Sequence, residues 1–258
     1  MTQTQANWMT RRARRLHRFI GNVLGTTGAG AERPEYAANV DWWFDRSWIE
    51  PYRKFLIRDK HNSKQDETRI LDRRYQLKRF AEATAKVPGS TAECGVYRGI
   101  GSAIICHTLR DHFAEGDRHF GFDSFCGVSE PKEVDRMANG QLVWKAGQLK
   151  TDYETTAAML AEFPYCELVT GWIPTTFPVA ADHRFRLVHI DVDLYEPTLD
   201  SLKFFYPRLN PGGMIVLDDH GFAGCPGARR AALEYFADKA DPVLDLATGQ
   251  GVVFRSGR

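Results

Sequence analysis

The chain has 258 residues, with 34 lysines and arginines against 33 aspartates and glutamates, 43% apolar side chains and 26% charged ones. That length suits one large domain, or a domain with an appendage, and the composition excludes collagen-like, disulfide-scaffold and wholly disordered classes. A formal charge of +1 gives no bulk attraction to nucleic acid. No apolar run approaches the roughly 18 residues that span a bilayer, so a soluble protein is expected.

The first segment, 1–33, is basic and amphipathic. Between Met1 and Gly30 stand five arginines (Arg11, Arg12, Arg14, Arg15, Arg18) and no acid. Trp8, Leu16, Phe19, Ile20, Val23 and Leu24 recur at helical spacing. This reads as a mobile or partner-packed arm of a homo-oligomer, or as a helix lying on an anionic membrane surface. The apolar patch after Arg14 and Arg15 is short and polar-interrupted for an export signal. Residues 34–87 read as a helical cap rich in aromatics: Tyr36, Trp42, Trp43, Phe44, Trp48, Tyr52 and Phe55. These form either core or a lid whose ring faces suit sugar and ring acceptors. A helix over 66–86 is expected to stop before Pro88 and Gly89.

From residue 88 to 258 the pattern alternates. Apolar strands are expected over 91–97, 119–125, 167–172, 187–193, 213–219, 243–246 and 251–255. Helices are expected over 101–113, 155–163, 198–209 and 228–240. Strands separated by helices specify a doubly wound α/β sheet, mostly parallel and covered on both faces. The short connection 247–250 makes the last pair an antiparallel hairpin. The cysteines Cys94, Cys106, Cys126, Cys166 and Cys225 form no C-x-x-C pair, and read as reduced thiols of a cytoplasmic protein.

In such a sheet ligands bind beyond the carboxyl ends of the strands, so the residues after each strand carry the chemistry. The first strand leads into Glu93-Cys94-Gly95-Val96-Tyr97-Arg98-Gly99-Ile100-Gly101-Ser102. Three glycines between a strand and a helix let a ligand approach the backbone, but their spacing is not the G-x-G-x-x-G of a dinucleotide site. The second strand ends in Asp123 and Ser124, where an acid accepts hydroxyl hydrogen bonds from a ribose. Asp123 in a turn-forming role is the plain alternative; with the glycine turn, the pair points to a nucleoside site. The fourth strand ends His189-Ile190-Asp191-Val192-Asp193-Leu194-Tyr195, and the fifth Leu217-Asp218-Asp219-His220. If these strands are neighbours, Asp191 and Asp218 stand one strand spacing apart, roughly 5 Å. Clustered carboxylates at Asp191, Asp218 and Asp219 repel one another unless protonated or bound to a cation, and oxygen ligation suits Mg²⁺ or Ca²⁺. Helix capping is the alternative use of these acids.

Taken together, the runs 93–99, Asp123-Ser124-Phe125, Gly171-Trp172, 189–195, Pro211-Gly212-Gly213, Asp218-Asp219, 225–231 and 248–251 resemble the macrocin O-methyltransferase family, over about residues 77–255. The resemblance implies a Rossmann-like class I methyltransferase fold and transfer of a methyl group from S-adenosylmethionine to a hydroxyl, often of a sugar on a natural product, with Mg²⁺. It implies Asp191, Asp218 and Asp219 as metal ligands, with Asp191 also the base. It places Gly95 and Asp123 in the cofactor site, with Glu93, Tyr97, Arg98, Gly99, Ser102, Ser124 and Trp172 completing the expected cofactor set. His220 competes as base, since an imidazole titrates near working pH, and Asp193 is expected to orient the shell. His189, inside a strand, reads as a satisfied core histidine. Val192, Pro197 and His220 depart from the pattern of many relatives, and bear on which acceptor is used. A metal-independent O- or N-methyltransferase, or a non-enzymatic interaction module, are the other readings of the same fold.

Overall fold

The computed structural model describes residues 46–58 and 71–257. The basic arm 1–33 and Tyr36, Trp42, Trp43 and Phe44 lie outside these residues. Among the described residues the first two helices are α1 (Arg46–Arg58) and α2 (Leu71–Ala83). Then follow β1 (Ser90–Cys94), α3 (Ile100–Thr108), β2 (His119–Asp123), α4 (Tyr153–Leu160), β3 (Cys166–Thr170) and β4 (Phe185–Ile190). The chain continues through α5 (Tyr195–Phe205), β5 (Leu209–Leu217), α6 (Pro226–Phe236), β6 (Leu244–Asp245) and β7 (Gly251–Phe254).

Among the described residues seven strands form one sheet in the order β3-β2-β1-β4-β5-β7-β6. The first five are parallel, while β7 is antiparallel to both β5 and β6. The expected terminal hairpin is therefore present, although β6 has only two paired residues. The chain builds outward from β1 to β3 and returns to lay β4 beside β1, which makes the carboxyl ends of β1 and β4 the topological switch point.

Period-2 alternation sorts the strand side chains into two layers. On one face Leu187, Met214 and Val216 pack with Leu77, Ile104 and Met159 beneath α1 to α4. On the other, Val188, Ile190, Ile215 and Leu217 pack with Leu202, Phe205, Ala232 and Phe236 of α5 and α6. Each large side chain so buried contributes about 1.5–3 kcal/mol. Trp48, Tyr52 and Phe55 are buried in the first layer, with Trp48 and Tyr52 stacked at a centroid distance of 4.6 Å. Of the two readings of the aromatic segment, these three residues follow the core one. The five cysteines are free, and among the described residues no helix is long and apolar enough to cross a membrane.

The observed β1, β2 and β4 end two or three residues before the expected strands. The cause is local: Gly95 (φ 82) and Tyr97 (φ 51) after β1, Phe125 (φ 54) after β2 and Asp193 (φ 61) after β4 turn into the left-handed region. That conformation cannot continue a ladder. The motif residues therefore stand in turns at the sheet edge.

Candidate functional site

At that edge lies a cleft of about 380 Å³. Glu93, Gly95 and Tyr97 line it from β1, Asp123 and Ser124 from β2, and Trp172 from the turn after β3. Asp191, Val192 and Asp193 enter after β4, and Pro197 from the start of α5. Among the described residues four non-glycine positions are left-handed, and three of them, Tyr97, Leu149 and Asp193, line this cleft. Such conformations cost about 1–3 kcal/mol each and persist where the surroundings over-determine them.

The glycines of the first turn have separate causes. Gly95 has φ 82, and a Cβ there would overlap the Asp191 carbonyl oxygen. Gly99 caps α3 at φ 86. Gly101 has no room for a Cβ because the Glu93 carboxylate occupies it. Two of the three glycines thus admit the protein's own atoms, where close approach by a ligand was expected. Of the expected cofactor set, Arg98, Gly99 and Ser102 do not line the cleft. Ser102 is fully buried and donates to Glu93, and the Arg98 guanidinium lies 5.0 Å from the Tyr97 ring centre.

Asp123 is fixed by the turns around it: Oδ2 accepts the Tyr97 N–H at 2.8 Å and Oδ1 the Phe125 N–H at 2.7 Å. Burial raises its carboxyl above the ordinary value against the pull of these N–H groups. A carboxylate has four lone-pair sites, so acceptor capacity remains for hydroxyls in the cleft.

The carboxylates after β4 and β5 divide into two groups that share no residue, so Asp219 stands apart from Asp191 and Asp218 with which it was expected to cluster, and neither Asp218 nor Asp219 lines the cleft. Asp191, Asp218 and His189 bring one ligand atom each within 4.8 Å of one another, and so do Asp193, Asp219 and Cys225. Burial, then the Asp218 charge, raises Asp191 to about 7. Burial raises Asp193 to about 6 and Asp219 well above the ordinary range. Asp218 goes the other way: burial would raise it, but His189 and the Arg73 guanidinium hold it below the usual carboxylate value. Asp219 Oδ2 also accepts the Asp193 N–H at 2.9 Å, which fixes the left-handed turn at Asp193. Cys225 donates to Asp193 Oδ1 at 3.4 Å and accepts the Trp144 indole N–H at 3.2 Å.

Two partners of Asp218 escaped the sequence. Arg73 of α2 donates to its carbonyl and to Oδ2, and stands 3.8 Å from Asp219 Oδ1. Gln250, beside β7, donates to Asp218 Oδ1 at 2.7 Å. His220 does not line the cleft; its Nε2 lies 3.0 Å from Asp245 Oδ1 on the hairpin, and its ring fills the space a Gly251 Cβ would take.

Beneath the cleft runs a buried polar row set by strand register. Thr91 pairs with His119, and Glu93 pairs with His189. Thr91 Oγ1 is 2.8 Å from His119 Nδ1, His119 Nε2 is 2.8 Å from Ser102 Oγ, and His189 Nδ1 is 2.8 Å from Glu93 Oε1. Burial would lower His189, but the flanking carboxylates of Asp218 and Glu93 outweigh it and raise the ring to about 10. Burial lowers His119 from 6.5 to about 4. Below pH 6.5 the unfolded chain therefore takes up a proton that the folded chain refuses. Stability from this group is complete above 6.5 and falls by about 3 kcal/mol by pH 4. The raised carboxylates titrate in the same range with opposite sign, so the contribution is read as a difference. In denaturant melts from pH 7 to 4, wild type is expected to lose more stability than His119→Gln; parallel curves would remove His119 from the row's titration.

The sheet order and the position of the cleft define a Rossmann-like fold with its ligand site at the switch point, and solved structures that share it include O-methyltransferases. The O-methyltransferase NovP superposes with a TM-score of 0.62 at 25% identity, over 72% of this chain and 80% of that one. The calicheamicin methyltransferase CalS11 also gives 0.62, at 20% identity, over 90% of this chain and all of that one. The chain belongs to the macrocin O-methyltransferase (TylF) family, which it matches over residues 65–255, a span that takes in Arg73 and Arg74. It is 32% identical over 180 residues to the 8-demethyl-8-(2,3-dimethoxy-alpha-L-rhamnosyl)-tetracenomycin-C 4'-O-methyltransferase of Streptomyces olivaceus, covering 66% of each chain. It is 28% identical over 181 residues to the mycinamicin III 3''-O-methyltransferase of Micromonospora griseorubida, covering 66% of this chain and 69% of that one. The chain thus spans about two thirds of the length of these relatives.

Proposed function

We propose that the protein moves a methyl group from S-adenosylmethionine to a sugar hydroxyl of a natural product, with Mg²⁺ held by Asp191, Asp218 and Asp219. The observation that carries this reading is that one cleft at the switch point is lined by a nucleoside-type acid after β2 and by the half-buried Asp191 after β4, with Asp218 at the end of the adjacent β5 close enough to Asp191 to share a cation. Both groups fit the residues present. Asp123 keeps acceptor capacity in the cleft, and burial first, then the charge of neighbouring carboxylates, raises Asp191 and Asp219, a crowding of negative charge that a divalent cation relieves. The names of the relatives, one of them specifying a rhamnosyl group, support a sugar acceptor.

When bound, the cofactor supplies a methyl group on a sulfonium and the cation supplies positive charge that holds and acidifies a hydroxyl. The chain supplies the rest. Asp123 fixes the nucleoside end, and the close approach of β1 to β4 at Gly95 brings that end beside the carboxylates. Asp191 lines the cleft and accepts the hydroxyl proton. Asp219 holds the turn that carries Asp193. Trp172, 45% exposed at the cleft wall, gives an indole face for a ring.

The test is calorimetric titration of S-adenosylhomocysteine into wild type and Asp123→Ala, each with and without Mg²⁺. Binding to wild type, weakened tenfold or more in Asp123→Ala, is the expected result. No binding to wild type under either condition would overturn the cofactor assignment.

A further inference from the structure

His189 is 2% exposed on β4 and takes no part in the chemistry proposed above. Its Nδ1 is held by Glu93 Oε1 at 2.8 Å, and Glu93, itself 2% exposed, also accepts the Ser102 hydroxyl. The Glu93 carboxylate sits in the space left by the missing side chain of Gly101. The ring is therefore clamped from one side. Its other nitrogen, Nε2, is buried without a hydrogen-bond partner and lies 3.4 Å from Asp218 Oδ1, an ion-pair distance lacking hydrogen-bond geometry. A buried ring nitrogen left without a hydrogen-bond partner costs free energy unless something makes use of its direction.

We propose that Glu93 and His189 form a buried positioning pair that, together with the Arg73 and Gln250 bonds to Asp218 Oδ2 and Oδ1, sets the orientation of the Asp218 carboxylate for a divalent cation. The inference rests on the reading of Asp218 as a cation ligand. Groups that stand behind a metal-binding carboxylate and hold it by hydrogen bonds fix its orientation, and losing them typically weakens metal binding 10–100-fold. Here the order is Glu93, His189, Asp218, laid across β1, β4 and the end of β5 by register: Glu93 opposite His189, with Asp218 following Leu217, the partner of Ile190. Glu93 thereby acts toward the cation side of the cleft, across His189, with both its carboxylate oxygens already engaged within the protein.

The two ring nitrogens can be separated by substitution. The amide of asparagine reaches about as far as Nδ1, and that of glutamine about as far as Nε2. His189→Asn keeps a polar group at the Nδ1 position for Glu93 and withdraws the one that faces Asp218; His189→Gln does the reverse. Mn²⁺ affinity, read from the electron paramagnetic resonance signal of free Mn²⁺, is measured for wild type, both variants and Asp218→Asn, after melting curves establish which are folded. S-adenosylhomocysteine affinity is measured in parallel. Expected is a 10–100-fold weaker Mn²⁺ affinity in His189→Asn, recovery to within about threefold of wild type in His189→Gln, and cofactor-product affinity within about threefold of wild type in both. If His189→Asn binds Mn²⁺ like wild type while Asp218→Asn does not, the positioning pair is overturned and the cation site stands. If Asp218→Asn itself binds Mn²⁺ like wild type, the cation site is what fails. Should His189→Asn not fold, His189→Gln decides alone: a loss of tenfold or more there overturns the pair.

Discussion

Gly95→Ala is expected to destabilise the protein by about 3–5 kcal/mol, because it combines a backbone penalty with a collision that cannot relax. Placing alanine at φ 82 costs roughly 1–2 kcal/mol by itself. The added Cβ would overlap the carbonyl oxygen of Asp191, a backbone atom. Relief requires β1 and β4 to part where the Asp191 N–H donates to Cys94 O at 2.9 Å, or Gly95 to move toward β2 and disturb its own bond, N–H to Phe122 O at 2.9 Å. Each bond lost there adds about 1 kcal/mol. For a chain of this length that total corresponds to a fall in melting temperature of roughly 10 °C, and it is a large part of a typical 5–15 kcal/mol margin. Gly99→Ala is the control. Its φ is 86, but the nearest atoms a Cβ there would meet are side-chain carbons of Leu160, Met159 and Thr156, each at 3.3 Å. Side chains can yield, so only the backbone penalty of about 1–2 kcal/mol is expected. Equal melting temperatures for the two variants would show that the β1–β4 approach is not rigid.

Much of this edge was legible in the sequence because the signals are local. An apolar run ending in acid marks a strand tip, and two such tips, at Asp191 and Asp218, sit on adjacent parallel strands as the alternation of strands and helices implies. What escaped depends on register or on distant chain. Glu93 and His189 become partners only once β1 and β4 are aligned residue by residue, so His189 alone reads as an ordinary core histidine. Gly101 looks like part of a ligand turn, and its neighbour across the space, Glu93, appears only in three dimensions. Arg73 sits among other charged residues on α2, where nothing in the spacing separates a solvated arginine from one that reaches Asp218, 145 positions away. Strand lengths were overread for a physical reason: the apolar pattern runs on through Tyr97 and Phe125, whose left-handed backbone ends the pairing.

Asp191→Asn is the substitution expected to reduce turnover most, by about 10²–10⁴-fold, with S-adenosylhomocysteine affinity within about threefold of wild type. Asparagine keeps the volume and one oxygen but can neither accept the hydroxyl proton nor offer a full negative charge to a cation. The residual activity is expected to respond weakly to added Mg²⁺, whereas wild-type turnover is expected to fall steeply with a chelator and return with Mg²⁺. His220→Gln separates the two candidate bases. The His220 ring is turned to Asp245 and packed under Gly251, outside the cleft lining, and burial together with Arg229 lowers its proton affinity. Its replacement is therefore expected to leave turnover within about tenfold of wild type, less than the effect of removing a general base. The reverse pattern, with Asp191→Asn nearly as active as wild type and His220→Gln dead, would move the base to the hairpin. Unchanged turnover of wild type in excess chelator would remove the cation from the reaction while leaving Asp191 free to act as base.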